Sequence, residues 1–278
     1  MNEYDISTRL GRLHIRVTGT GPPVVLWHSM FVDSSSWDRV LPTLAGTRTL
    51  YLVDAPSCGS SDPLRQSTDI SGCADAAIEL LDEMQRRWGN GSVDWLGNAW
   101  GGHVGMEVAA RRPDLISTLV AISAPTHPID KALRRKIRML LPLYRLVGLR
   151  GPVRSAIEET IFTDLTRAHD RAAVQMLRDA IGQVGRRATT LAIETAILNR
   201  TDLTWAAQAS KCPTLFVTTD DRGEWTPEEA RAVVATMVDA REVTVSGARV
   251  IPALEQPERL AEVVSEFWSS HARPIGAT

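Results

Sequence analysis

Cysteine, aromatic side chains and a surplus of either charge are all scarce in this sequence, and each scarcity closes off a class of function. The three cysteines, Cys58, Cys73 and Cys212, are odd in number, widely separated and without a C-x-x-C pair, so they give no sign of a disulfide framework or a zinc site. Inert thiols are the expectation. Lys and Arg number 31 against 33 Asp and Glu, and a net charge of -2 creates no global field that would gather nucleic acid or an anionic membrane. Any partner must be chosen by a local site. No apolar run approaches the roughly 20 residues of a membrane helix. The start, Met1-Asn2-Glu3-Tyr4-Asp5, lacks a basic region followed by an apolar stretch, which points to a cytoplasmic protein with no membrane span. Aromatic residues are only 5% of the 278, yet 8 of them are Trp, which suits a few broad surfaces in a core or cavity. With 44% hydrophobic and 23% charged residues, the rest of the composition is that of an ordinary globular chain.

Over the first 125 residues, short β-rich runs alternate with helical stretches, the rhythm of βαβ units and a mostly parallel sheet. Arg9 to Val17 reads as a hairpin arm turning at Gly11. Pro23 to His28, Thr49 to Asp54, Val93 to Gly97 and Leu119 to Ile122 read as strands, with helices over Ser36 to Leu44 and Asp69 to Trp88. From Thr126 to about Trp205 the pattern is helical without a strand, and Lys131 to Arg154 holds eight basic residues and no acid. A solvated helix face or a surface for an anionic group both fit that stretch. Strands return at Thr214 to Thr218 and Glu242 to Val245, each followed by a helix opening at Pro227 or Pro257, where proline suits the first turn. A helical insertion thus splits one sheet domain.

The segment Trp95-Leu96-Gly97-Asn98-Ala99-Trp100-Gly101-Gly102-His103 runs from a strand into a helix through a turn with glycine on both sides. It resembles the G-x-S-x-G nucleophile elbow of the α/β-hydrolase family, whose strained turn leaves no room for bulky neighbours. His28-Ser29-Met30 resembles the family's H-G oxyanion loop. Asp54-Ala55-Pro56-Ser57-Cys58-Gly59-Ser60-Ser61-Asp62 resembles its D-x-P-G-x-G-x-S-D loop, and Ile251 to Glu258 its H-x-P-x-x-E-x-P-E ending without the leading histidine. The likeness covers nearly the whole chain. It implies an α/β-hydrolase fold, a mostly parallel sheet flanked by helices, with residues 1–125 and 206–278 as the core domain and 126–205 as a helical cap. Where the family has its serine, acid and histidine, this sequence has Ala99, Gly223 and Val250, none of which can attack, orient or shuttle a proton. Ser29 and Ser57 replace two further glycines, and the set reads as a natural loss of the triad.

The resemblance also implies which groups remain. The backbone N–H groups of Met30 and Trp100 would form the oxyanion hole, and Ser29, Glu224 and Arg249 would join them as catalytic candidates at the carboxyl ends of the strands. Ala99, Gly223 and Val250 would line the pocket as vacated positions, and Asn98, Phe31 and His127 would contact substrate. No metal or cofactor is implied. The leading expectation is therefore a non-hydrolytic enzyme that holds a mostly apolar small molecule under the cap and promotes a cyclisation, lyase or isomerase-type step by polarisation and shape. A ligand-binding pseudoenzyme or receptor is an alternative. A further one is a hydrolase with a relocated set such as Ser29, His127 and Asp221. A carrier-bound or anionic substrate at the basic stretch fits any of them, and the oligomeric state stays open.

Overall fold

The computed structural model describes residues 1–271. The chain opens with β1 (Asn2–Thr8) and β2 (Gly11–Gly19), an antiparallel hairpin. Residues 9 and 10 make its turn, so the segment expected as one arm is the second strand of a pair. β1 alternates exposed and buried positions too weakly to stand out, because it lies at the sheet edge and buries only Ile6 fully.

β3 (Pro23–Trp27), a short helix α1 (Leu41–Leu44), β4 (Thr49–Val53), α2 (Ile70–Trp88), β5 (Val93–Asn98), α3 (Trp100–Arg111) and β6 (Ile116–Ile122) follow. β3 reads as a continuous apolar run, and β5 as one interrupted by Asp94, because each is covered on both faces: Val25, Trp27 and Trp95 pack on one side of the sheet, Val24, Leu26 and Leu96 on the other. The indoles of Trp27 and Trp95 stack with ring centroids 5.8 Å apart. α2 starts where the Asp69 carboxylate accepts the Gly72 N–H at 2.9 Å, and ends at Gly89, whose φ of 65° suits a residue without Cβ. Its buried stripe runs through Cys73, Ala77, Leu80, Leu81 and Met84, with Ile78 at the margin rather than at the centre.

Between β6 and β7 (Thr214–Thr219) the described residues form only helices: α4 (Lys131–Val147), α5 (Gly151–Ile161), α6 (Asp164–His169), α7 (Arg171–Gln183), α8 (Arg186–Ile193), a π turn over Glu194–Leu198, and α9 (Thr204–Ala209). α10 (Pro227–Val234), β8 (Ala240–Val245), α11 (Pro252–Glu255) and α12 (Pro257–Ser270) complete the chain. Thr226 and Glu229 close a reciprocal cap at the start of α10, with Pro227 in the first turn.

The eight strands lie in the order β1-β2-β4-β3-β5-β6-β7-β8, parallel from β4 to β8. From β3 the chain first steps outward to β4 and then returns past β3 to β5. This reversal opens a crevice at the carboxyl ends of β3 and β5, the place where an open α/β sheet takes its ligand. Among the described residues no helix is long and apolar enough to cross a membrane.

Candidate active site

Backbone geometry builds the site before any side chain does. α3 packs against β3 and β5 so closely that a Cβ on Gly101 would collide with the Trp27 carbonyl, and one on Gly97 with the Gly101 carbonyl. The chain must therefore turn from β5 into α3 within one residue, and that residue is Ala99, at φ 45° and ψ −101°. Its N–H is held by the Ile122 carbonyl at 2.7 Å. Trp100 N–H belongs to the first turn of α3, where the helix supplies no acceptor of its own.

The neighbouring loop is fixed from within. His28, fully buried, donates from Nδ1 to the Ser29 carbonyl at 2.6 Å and accepts the Ala55 N–H at Nε2, 2.9 Å away. Burial pushes this imidazole below its usual range, in keeping with a structural role. Asp54 holds both sides of the crevice, accepting from Ser34 N–H at 2.9 Å and Ser60 N–H at 2.8 Å. Ser57, where the resemblance leads one to expect glycine, does adopt a positive φ of 63°, and its hydroxyl accepts the Leu64 N–H at 2.8 Å.

Above these turns lies a cavity of about 840 Å³, walled by Ser29, Met30, Phe31, Ala99 and Trp100 from the core and by α4, α5 and the π turn from the insertion. Among the described residues five non-glycine positions have positive φ, and four of them, Phe31, Ala99, Ser123 and Arg222, line this one cavity. Such conformations cost on the order of 1–3 kcal/mol each and collect where function requires them.

Gly223 and Val250 also reach the cavity, so the three positions matched to the family's serine, acid and histidine face a common space. Asn98 ties two of them together, its Nδ2 donating to the Val250 carbonyl at 2.9 Å and the Ile122 carbonyl at 3.2 Å. That amide braces the elbow and is not among the lining residues. His127 lies outside the wall as well, half-buried beside its own Pro128 carbonyl. Ser29, Met30, Phe31, Trp100, Glu224 and Arg249 all line the cavity.

Two charged clusters on the wall are paired. Glu224 receives both terminal nitrogens of Arg200, Nη1 at 3.1 Å and Nη2 closer still. Arg249, only 4% exposed, donates from Nη2 to Asp221 at 2.9 Å and from Nη1 to the Glu159 carbonyl on α5. Asp221 thereby serves at the border between core and insertion.

Among the wall residues that the sequence candidates left out are His103, Ser123 and Arg200. His103 follows Ala99 by four positions, so it lies on the same face of α3, a spacing that could have flagged it. Ser123 sits just past the end of β6. Arg200 comes from beyond the π turn and carries no local signal. Among the described residues no group of three or more His, Cys, Asp or Glu is placed to hold a metal ion.

A model of the alpha/beta hydrolase family matches residues 24–263. A pimeloyl-[acyl-carrier protein] methyl ester esterase of Xanthomonas oryzae pv. oryzae is 24% identical over 265 residues, 93% of this chain and 99% of the relative. The protein of that name in Nitrosomonas europaea is 30% identical over 120 residues, spanning 41% of this chain and 42% of its own length. A thermophilic esterase structure from Thermogutta terrifontis superposes with a TM-score of 0.86 at 21% identity, covering 98% of this chain and all of that one. Relatives named for ester hydrolysis overturn the expectation of a non-hydrolytic cyclase, lyase or isomerase, and with it the pseudoenzyme alternative.

Proposed function

The chain belongs to the α/β-hydrolase family, and we propose from that premise that it hydrolyses a small, mainly apolar ester or lactone by direct attack of water, with no acyl-enzyme at the elbow. The single observation that carries this reading is the cavity itself. Its strained turns bring Ala99, Gly223 and Val250 to one space beside the Trp100 amide, with a methyl group where a nucleophile would stand.

In this mechanism the substrate carbonyl oxygen takes the N–H groups of Met30 and Trp100, which stabilise the negative charge developing on it. The space above the Ala99 methyl admits the attacking water. Glu224, on the wall one residue beyond Gly223, removes the water's proton, and Arg200 holds its carboxylate in place. Ser29 hydrogen-bonds the tetrahedral intermediate from the other side, and as that intermediate collapses the bond to the alcohol oxygen breaks and the alcohol leaves with the proton that Glu224 took from the water. The acyl chain lies along Leu140, Leu141 and Ile197 of the insertion, which acts as a cap.

The basic helix α4 supports a carrier-bound substrate. Lys131, Arg135, Lys136 and Arg138 are exposed, and Leu133, Lys136 and Ile137 of the same helix line the cavity, so a chain threaded inward would leave an acidic carrier against positive charge. Turnover of such a substrate should fall with added salt while that of a free ester does not.

The test is a steady-state assay on p-nitrophenyl acetate, butyrate and octanoate and on γ- and δ-lactones. Turnover above the uncatalysed rate, cut at least tenfold in kcat with little change in KM by Glu224→Gln, is the expected result. No turnover of any of them, or a Glu224→Gln variant as active as the wild type, would overturn the mechanism.

A further inference from the structure

The helix α4 is packed on one side and bare on the other. Leu133, Ile137, Leu140, Leu141 and Tyr144 share a face at helical spacing and line the cavity. The opposite face carries Lys131, Arg135, Arg138 and Arg145, all exposed, and no acid occurs anywhere in the helix. Standing among them are Met139 and Leu146, 70% and 77% exposed and seven residues apart, hence on one line along the helix.

Seven large apolar side chains stand exposed among the described residues, and three of them, Met139, Leu146 and Val147, belong to this helix. Scattered singly they would need no explanation, but an apolar stripe rimmed by charge marks an interaction surface. The charge is available as well. Among the described residues the helix makes one ion pair, Arg145 with Glu194 at 2.8 Å, which leaves Lys131, Arg135 and Arg138 without one. Arg186 adds positive charge at the carboxyl end, its Nη1 donating to the Arg145 carbonyl at 3.1 Å and to the Leu146 carbonyl.

A helix face of this make-up suits the headgroup region of an anionic membrane, where apolar side chains enter the boundary with the acyl chains while guanidinium groups meet phosphates. The acidic carrier considered above accounts for the arginines but not for Met139 and Leu146. A net charge of -2 exerts no overall pull toward such a surface, so the attraction has to come from a local cluster of this kind. Among the described residues no helix is long and apolar enough to span, which limits the contact to the lipid surface.

We propose that the outer face of α4 docks on an anionic phospholipid bilayer, Met139 and Leu146 entering its interface and Lys131, Arg135 and Arg138 binding its headgroup phosphates. Lys136 is both exposed and on the cavity wall, so the rim of the cavity meets the docked face. The cavity then opens beside the lipid, where apolar molecules concentrate. This docking goes beyond the hydrolase reading and does not rest on it.

The test is flotation of the full chain with vesicles of phosphatidylcholine alone and of phosphatidylcholine with one-third phosphatidylglycerol. Binding to the anionic vesicles about tenfold tighter than to the neutral ones is expected. Met139→Gln with Leu146→Gln, and separately Arg135→Gln with Arg138→Gln, should each weaken it about tenfold. All four side chains are exposed, and an unchanged melting temperature shows that each variant is folded. No binding to anionic vesicles, equal binding to both kinds, or either pair of substitutions without effect would overturn the proposal. Should the apolar pair be the silent one, competition by a purified acyl-carrier protein for the same arginines would assign the face to an acidic carrier. Vesicle binding without hydrolysis of any ester supports the docking face and removes only the hydrolase reading, and hydrolysis without vesicle binding does the reverse.

Discussion

Ala99 sits at φ 45° and ψ −101° in the turn from β5 into α3, strain that persists only where the surrounding structure over-determines it. Restoring a hydroxyl alone should do little. In Ala99→Ser, Val250 still offers no base, so steady-state rates should stay within a few-fold of wild type and no burst should appear in stopped-flow assays. The triple variant Ala99→Ser, Val250→His, Gly223→Asp should behave differently. A Cβ at Gly223 would meet Thr219 Oγ1 at 3.1 Å and the Arg249 carbonyl at 3.6 Å, a tight but adjustable fit. A burst of acyl-enzyme is expected from it, and a triple variant without one would mean that these are not the triad positions. The motifs made Ala99, Gly223 and Val250 readable in the sequence because each sits at a fixed offset from glycine or proline. His103 could have been flagged by its spacing from Ala99, whereas Ser123 and Arg200 were not readable, because they reach the cavity only once β6, α3 and the π turn have come together.

Among the elements, the boundary between the helical insertion and the sheet depends on Arg249 more than on apolar packing alone. The sequence offered it as a catalytic candidate, from its place beside Val250. In the fold its guanidinium bridges Asp221 of the β7 loop and the Glu159 carbonyl of α5, and its own N–H donates to Glu255 at 2.8 Å. Arg249→Ala should therefore cost about 1–3 kcal/mol, lowering the melting temperature by several degrees, because the bridge to α5 is lost and a partly buried Asp221 keeps only Arg222, at 3.2 Å. A melting temperature unchanged by the substitution would exclude this role as a clasp. The strands of the sheet centre were legible from their near-continuous apolar runs, whereas β1 was not, since an edge strand with one fully buried residue has little pattern to show.

For the whole molecule, buried titratable groups set the pH range of stability. His28 and His103 are both held neutral by burial, below the ordinary 6.5. The unfolded chain takes up these protons as pH falls through 6.5 and the folded one does not, so stability should begin to decline there, well above the carboxylate range near 4. Burial raises the thiols of Cys58 and Cys73 above 9.0, the latter to about 12, and the unfolded chain loses these protons first, giving a second decline above pH 9. Urea unfolding between pH 5 and 10 should trace this plateau, with the acid side flattened in His103→Phe; an acid decline starting only near pH 4 would refute it. The central claim concerns the reaction at the floor of the 840 Å³ cavity. It is tested most directly by intact-protein mass spectrometry during turnover of p-nitrophenyl butyrate, with the phenolate followed in parallel. The account predicts linear product release from the first turnover and a protein of unchanged mass. A mass gain of one butyryl group, wherever it maps, together with a burst, would contradict it.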